Sequence, residues 1–317
     1  MAKSTSATAK SVSAFDYSGF DRETIINWYR INHLGRRLDE KAASYLKMAK
    51  GWSYHAPCAG HDGIQLALGQ IFRPSKDFLF PYYRDLLTSL SAGLSPLEII
   101  YNGLSKDADV AGGGRHMSNH FAKPSVNIQN GSSCTGNHFI GFRHLLIVNC
   151  DGRDPFDSYR ALRKAADYVL SGAGPAMVHA DCDRIGSHSN SDNQELYRSK
   201  EEIASVKERD PLPRFRSLLI EGGFMSEAEV VALEEENLRL MYEAAEAAPD
   251  PDPASYTQFM MPPSAASADD ASEYSYVNDA SAPQLTFREA VNHAMKEEFR
   301  RNPATFLWGQ DVASVNK

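Results

Sequence analysis

One stretch constrains the architecture more than any other. An apolar run from Leu145 to Cys150 is followed by Asp154-Pro155, a helical pattern to about Leu170, Gly172, and a second apolar run from Ala176 to Cys182. Asp154 reads as an N-cap and Pro155 as the first helical residue, where a missing N–H costs nothing, and Gly172 reads as the stop. Strand, helix and strand in that order predict a βαβ unit, with parallel strands joined by a right-handed crossover. The fold class is therefore α/β.

The same local signals mark out the rest of the chain. Asp21 is a plausible N-cap, and Ile25, Trp28, Ile31, Leu34, Leu38 and Ala42 recur at helical spacing, which predicts a long amphipathic helix. Ser226 and Glu229 form a capping box before a helix whose Val230, Leu233, Leu240 and Met241 share a face, and which ends by Pro249. Residues 249–283 are dominated by Ala, Pro, Ser and Asp, too poor in apolar surface to fold alone, and read as a linker. Thr286 and Glu289 make another capping box, a helix from Phe287 to Arg301 follows, and Ala304 to Gly309 reads as a strand. Met1 to Ala14 is rich in Ser, Ala and Lys and has no acidic residue, but it also lacks Arg and an apolar core, which argues against both import and secretion. The expected organisation is a disordered tail over 1–20, a folded region over 21–248, the linker, and the start of a second α/β domain over 284–317.

Composition excludes several roles. The chain has 317 residues, 42% of them hydrophobic, enough for a sizeable core, and no run is apolar enough to span a membrane. A net charge of −8 argues against nucleic-acid binding, which calls for a basic face. Four widely spaced cysteines, Cys58, Cys134, Cys150 and Cys182, suggest neither a disulfide framework nor a zinc knuckle, so a reducing cytoplasm is expected.

Directly after the second apolar run comes Arg184-Ile185-Gly186-Ser187-His188-Ser189-Asn190-Ser191-Asp192, closing with Tyr197-Arg198. Ligands gather outside the carboxyl ends of strands in open α/β sheets, so His188 has an active-site address. A loop of this composition is ordinarily a solvated connection whose side chains bond their own backbone. His116 and His120, four apart, could share a helix face as metal ligands, although the Gly112-Gly113-Gly114 run before them disfavours a helix.

The histidine run resembles the R-x-G-H-H-S-T-S-D loop, followed by Y-R, of the α subunits of thiamine-diphosphate-dependent 2-oxo acid dehydrogenases, the E1 components. Other segments resemble that family in the same order. Gly60-His61-Asp62-Gly63-Ile64-Gln65 is similar to its G-x-E-A-x-Q, and Tyr82-Tyr83-Arg84-Asp85 to its Y-R-x. The run Gly112 to His120 is similar to G-x-G-R-Q-M-P-x-H, Ser132 to His138 to S-S-P-L-A-T-Q, and Cys150 to Asp154 to V-D-G-N-D. Residues 285–312 look like the first residues of an E1 β subunit. Each segment alone is weak, and their shared order gives the resemblance its weight.

The resemblance implies a thiamine-diphosphate-binding fold, a parallel sheet flanked by helices. It implies decarboxylation of a 2-oxo acid, branched-chain favoured and pyruvate next, and acyl transfer to a lipoyl-bearing E2 acyltransferase. His188 would handle protons in that transfer, Tyr83 and Arg84 would hold the diphosphate, and Arg184, Asp192, Tyr197 and Arg198 would order the loop. Ser133 and Asn137 match a monovalent-cation site of some members. The family also implies a homo-oligomer or a β-like half as partner. The chain departs from the family in lacking both a Gly-Asp-Gly motif and an Asn-Asn pair, the Mg²⁺ ligand signature, because His138 is followed within a few residues by the strand at Leu145. It therefore reads as an E1-type chain with an internal deletion after His138, itself inactive. The alternative is a noncatalytic remnant acting at most at an interface.

Overall fold

A computed structural model describes residues 15–131, 145–249 and 285–305. The chain divides into two compact units, Met1–Phe259 and Met260–Lys317, and the division falls within the Ala/Pro/Ser/Asp-rich stretch. In chain order, the described elements of the first unit are α1 (Arg22–Lys47), α2 (Asp62–Ile71), α3 (Leu86–Ser91), α4 (Pro96–Gly103), β1 (Leu146–Asp151), α5 (Pro155–Leu170), β2 (Ala176–Asp181), α6 (Lys200–Glu208), α7 (Pro211–Glu221) and α8 (Glu227–Glu246).

The βαβ unit forms where the sequence places it. The Asp154 side chain accepts from the N–H groups of Phe156 and Asp157, with Pro155 at the first helical position, and Gly172 takes a φ of +77° just beyond α5. β1 and β2 pair in parallel, from Leu146 opposite Ala176 to Asp151 opposite Asp181. Val148 and Cys150 pack with Ala161 and Ala165, so α5 covers one face of this sheet. Ile147, on the alternate face, is 56% exposed. Parallel sheets are ordinarily covered on both faces, and here one face is open among the described residues.

The long first helix starts at Asp21, whose carboxylate accepts from the Thr24 N–H at 2.7 Å. Its apolar stripe is buried except for the half-buried Ile31, yet Asn32, His33, Arg36 and Asp39 are buried too. Each of the last three has a polar partner at hand, which is what buried polar groups require. Arg36 meets Asp62 at 2.9 Å and also Asp210, and Asn237 of α8 donates to His33 Nδ1 at 3.2 Å. One core cluster gathers Leu38 and Ala42 of α1 with Trp52, Leu86, Ile99, Ile100, Phe121 and Met241. A second gathers Ile25, Trp28 and Tyr29 with Leu66, Phe156, Phe215 and Leu233.

Phe15 belongs to that second cluster. It is 3% exposed and meets Phe156 and Phe215 edge-on at 6.2 and 6.0 Å. The packed part of the chain thus includes residues before the expected boundary at residue 20, because three aromatics, Phe15, Tyr17 and Phe20, among Asp, Ser and Gly do not recur at helical spacing.

In the second unit, α9 (Phe287–Arg301) opens with a reciprocal capping box between Thr286 and Glu289. Of the expected strand from Ala304 to Gly309, Ala304 sits in a turn and Thr305 in irregular chain, and the remainder lies outside the described residues. Pro303 just before this segment favours such a turn. Among the described residues, no helix is long and apolar enough to cross a membrane.

Candidate active site

Three segments meet outside the carboxyl end of β2: residues 54–61, the turn from Tyr82 to Asp85 before α3, and the run from Arg184 to Arg198. Gly60 marks their closest approach, with a φ of +95° and a backbone position where a Cβ would fall 1.9 Å from the Asp183 carbonyl oxygen. Only glycine fits there.

The structure brings Tyr83, Arg84 and His188 together. The Tyr83 hydroxyl lies 3.4 Å from His188 Nε2, and an Arg84 guanidinium nitrogen lies 3.5 Å from His188 Nδ1. A guanidinium only donates, so Arg84 leaves Nδ1 as the acceptor and favours the tautomer with its proton on Nε2, facing Tyr83. Arg84 is otherwise engaged with backbone, donating to the Pro57 carbonyl at 2.7 Å and to the His188 carbonyl at 2.9 Å. Tyr83 and Arg84 are buried, at 5% and 4% exposure, whereas His188 is exposed. The imidazole thus meets solvent above a buried floor.

The four residues expected to order the loop are bonded to one another or to its backbone. Asp192 accepts the His188 N–H at 2.6 Å and the Tyr197 hydroxyl at 2.5 Å. Arg184 donates to the Tyr197 hydroxyl at 2.9 Å and to the Gly186 carbonyl at 2.8 Å, and Arg198 donates to the Arg184 carbonyl at 2.8 Å. Burial works to raise the Asp192 carboxyl, but the bonds from Tyr197 and His188 and the charge of Arg184 hold it below the usual carboxylate range.

Sequence reasoning missed other members of the site. Tyr54 packs edge-on to Tyr83 at 5.6 Å, and burial first, then proximity to Tyr83, pushes its hydroxyl up to about 12. His61 is pushed down to about 4, by burial and then by the charges of Arg84 and Arg184, so it is neutral at pH 7. The G-x-E-A-x-Q likeness had drawn attention to the segment holding His61 without giving that residue a role. Nothing in the sequence signalled Tyr54.

Ser133 and Asn137, expected as a cation site, lie outside the described residues. Residues 112–120 form turns and not a helix, and His116 Nδ1 accepts from Asn130 at 2.9 Å, so the alternative of a helical two-histidine metal site is not realised. Among the described residues, no group of three or more His, Cys, Asp or Glu could hold a metal ion.

Comparison with known proteins points to one family. Residues 140–255 match the family described as dehydrogenase E1 component. The chain is similar to the 2-oxoisovalerate dehydrogenase subunit alpha of Bacillus subtilis, 22% identical over 304 aligned residues that cover 73% of this chain and 92% of that protein. It is also similar to the pyruvate dehydrogenase E1 component subunit alpha of Acholeplasma laidlawii, 26% identical over 283 residues, covering 68% of this chain and 81% of the relative. A shorter match, to the protein of that name in Mycoplasma pneumoniae, is 37% identical over 99 residues, 30% of this chain and 28% of the relative. The E1-matching region contains β1, α5, β2 and the whole histidine loop, whereas Tyr83 and Arg84 lie before it.

Proposed function

We propose that this chain is an E1 component of a 2-oxo acid dehydrogenase complex, α-subunit-like over residues 21–248 and joined to the start of a β-like segment. The complete form would decarboxylate a 2-oxo acid, a branched-chain one in preference to pyruvate, on thiamine diphosphate and pass the acyl group to lipoyl-E2. The observation that carries this reading is the meeting of Tyr83, Arg84 and His188, residues about a hundred positions apart, outside the carboxyl end of a parallel strand. His188 would give or take its proton at Nε2, beside the Tyr83 hydroxyl, and Arg84 would orient the imidazole through Nδ1.

The residues present fit only part of the cofactor's needs. Thiamine diphosphate, when bound, supplies the electron sink for decarboxylation. Arg84 has the charge for one end of a diphosphate, but its guanidinium is buried and bonded to the Pro57 and His188 carbonyls. Mg²⁺ wants near-octahedral oxygen ligands, and neither a Gly-Asp-Gly nor an Asn-Asn occurs in the chain. The isolated chain is therefore expected to be inactive.

An internal deletion after His138 accounts for this. It is supported by an alignment that runs over 304 residues yet uses 73% of a 317-residue chain, so the span contains positions this chain lacks. It is also supported by the face of β1 left open among the described residues and by an apolar cavity of about 640 Å³ beside α2 and α5, lined by Leu68, Phe72, Ala165, Leu170 and Val178. The same features favour the second reading, a noncatalytic remnant at an E1 interface. Isothermal titration of the 317-residue chain with thiamine diphosphate and Mg²⁺ tests both. No saturable binding is expected, and Mg²⁺-dependent binding would mean that the chain keeps a working site.

A further inference from the structure

Asp39 and His55 are buried, at 4% and 7% exposure. The Asp39 carboxylate, projecting from α1, holds the segment before α2 at two points. One oxygen meets His55 Nε2 at 2.9 Å, and the other accepts the Cys58 N–H at 3.2 Å. That segment in turn holds the histidine loop at both ends. The His55 N–H donates to Asn190 Oδ1 at 3.2 Å and the His55 carbonyl accepts the Asn190 N–H at 2.9 Å. At the other end the Ile185 N–H reaches the Ala59 carbonyl at 3.3 Å. Between these anchors lies His188, whose carbonyl shares Arg84 with the carbonyl of Pro57.

We propose that the Asp39–His55 pair is the positioning device of the histidine loop, transmitting the rigidity of α1 through residues 55–59 to His188. The proposal rests on reading His188 as the proton-handling group of the site. A buried pair that served packing alone would need no such connection. Here both carboxylate oxygens are spent on one five-residue segment, and the main chain of His55, not only its ring, is bonded to the loop. Breaking a buried pair leaves an uncompensated polar group, so the segment has a strong preference for one placement.

The test uses the full 317-residue chain with isotope-labelled histidine and asparagine, the His188 ring and Asn190 amide signals being assigned by their loss in His188→Gln and Asn190→Ala. Asp39→Ala and His55→Ala shift the His188 signal and speed amide exchange at Asn190 by at least tenfold. The signal of His33, on the same helix α1 but packed against α8, stays in place. His55→Gln, whose side-chain nitrogen can donate where His55 Nε2 does, restores both readouts. Asn190→Ala, at an exposed residue outside the core, shifts His188 in the same direction and decides the matter if the Asp39 variant does not fold. The proposal is overturned if His188 stays unmoved in these variants, if His33 moves with it, or if His55→Gln fails to restore the signal. None of these readouts needs thiamine diphosphate, so cofactor titration and loop positioning fail independently.

Discussion

Asp192 holds two donors at once, the His188 N–H at 2.6 Å and the Tyr197 hydroxyl at 2.5 Å, with Arg184 3.8 Å away. Removing the carboxylate leaves both donors to water in an exposed loop, so the local loss is that of ordinary hydrogen bonds, about 0.5–1.5 kcal/mol each. Asp192→Ala should therefore open the segment between Arg184 and Arg198 without loosening the helical core. Limited trypsin digestion reads this directly, with cleavage after Arg184 or Arg198 expected to become roughly tenfold faster. An unchanged rate would show that the loop is held by its anchors to residues 55–59 alone. Single residues of this kind were legible in the sequence only as members of a motif. Arg184, Asp192, Tyr197 and Arg198 come within one short run, and the structure joins all four. Asp39, His55 and Tyr54 reach the same site from distant positions, and no periodicity or spacing links them to it.

Elements were legible where their signals are local. The N-caps at Asp21 and Asp154 and the boxes at Ser226/Glu229 and Thr286/Glu289 all form, because a cap needs only residues within three positions of itself. The polar face of α1 was not legible. Its Arg36 is buried by Asp62 and by Asp210, the latter 174 residues away, and apolar periodicity is blind to such partners. At this scale the weak point is β1. Among the described residues Ile147 is 56% exposed on the uncovered face of a two-stranded sheet, where unpaired edges and apolar residues template association. Ile147→Lys should raise the concentration at which the chain remains monomeric in sedimentation velocity. Its unfolding free energy should change by no more than about 0.5 kcal/mol, as for other surface changes. Unaltered association would place the sticky surface elsewhere, with the ridge Phe287, Val291, Met295 and Phe299 of α9, each at least 41% exposed, as the next candidate.

At the scale of the whole molecule, buried histidines set how the fold responds to acid. His33 is carried down to about 4 by burial and then by the charge of Arg37, and His61 to about 4 by burial and then by Arg84 and Arg184, against an ordinary 6.5. Between pH 6.5 and 4 the unfolded chain takes up these two protons and the folded chain does not, so acid lowers stability, by up to about 1.4 kcal/mol per pH unit for each group. Asp85 runs the other way. Burial raises its carboxyl to about 6 from 3.8, against the pull of the Tyr82 N–H and Arg84, so between pH 3.8 and 6 the folded chain is the one that holds the extra proton. The two histidines act unopposed just below 6.5, and Asp85 offsets about one of them further down. Denaturant midpoints measured from pH 7 to 4 should fall throughout. His61→Gln should make that fall shallower than in the parent chain, and Asp85→Asn should make it steeper below pH 6. Taking variant minus parent at each pH cancels the other carboxylates, so a His61→Gln difference that does not change with pH would mean that His61 is not held neutral beside Arg84 and Arg184, and that the floor of the site is wetter than its geometry implies.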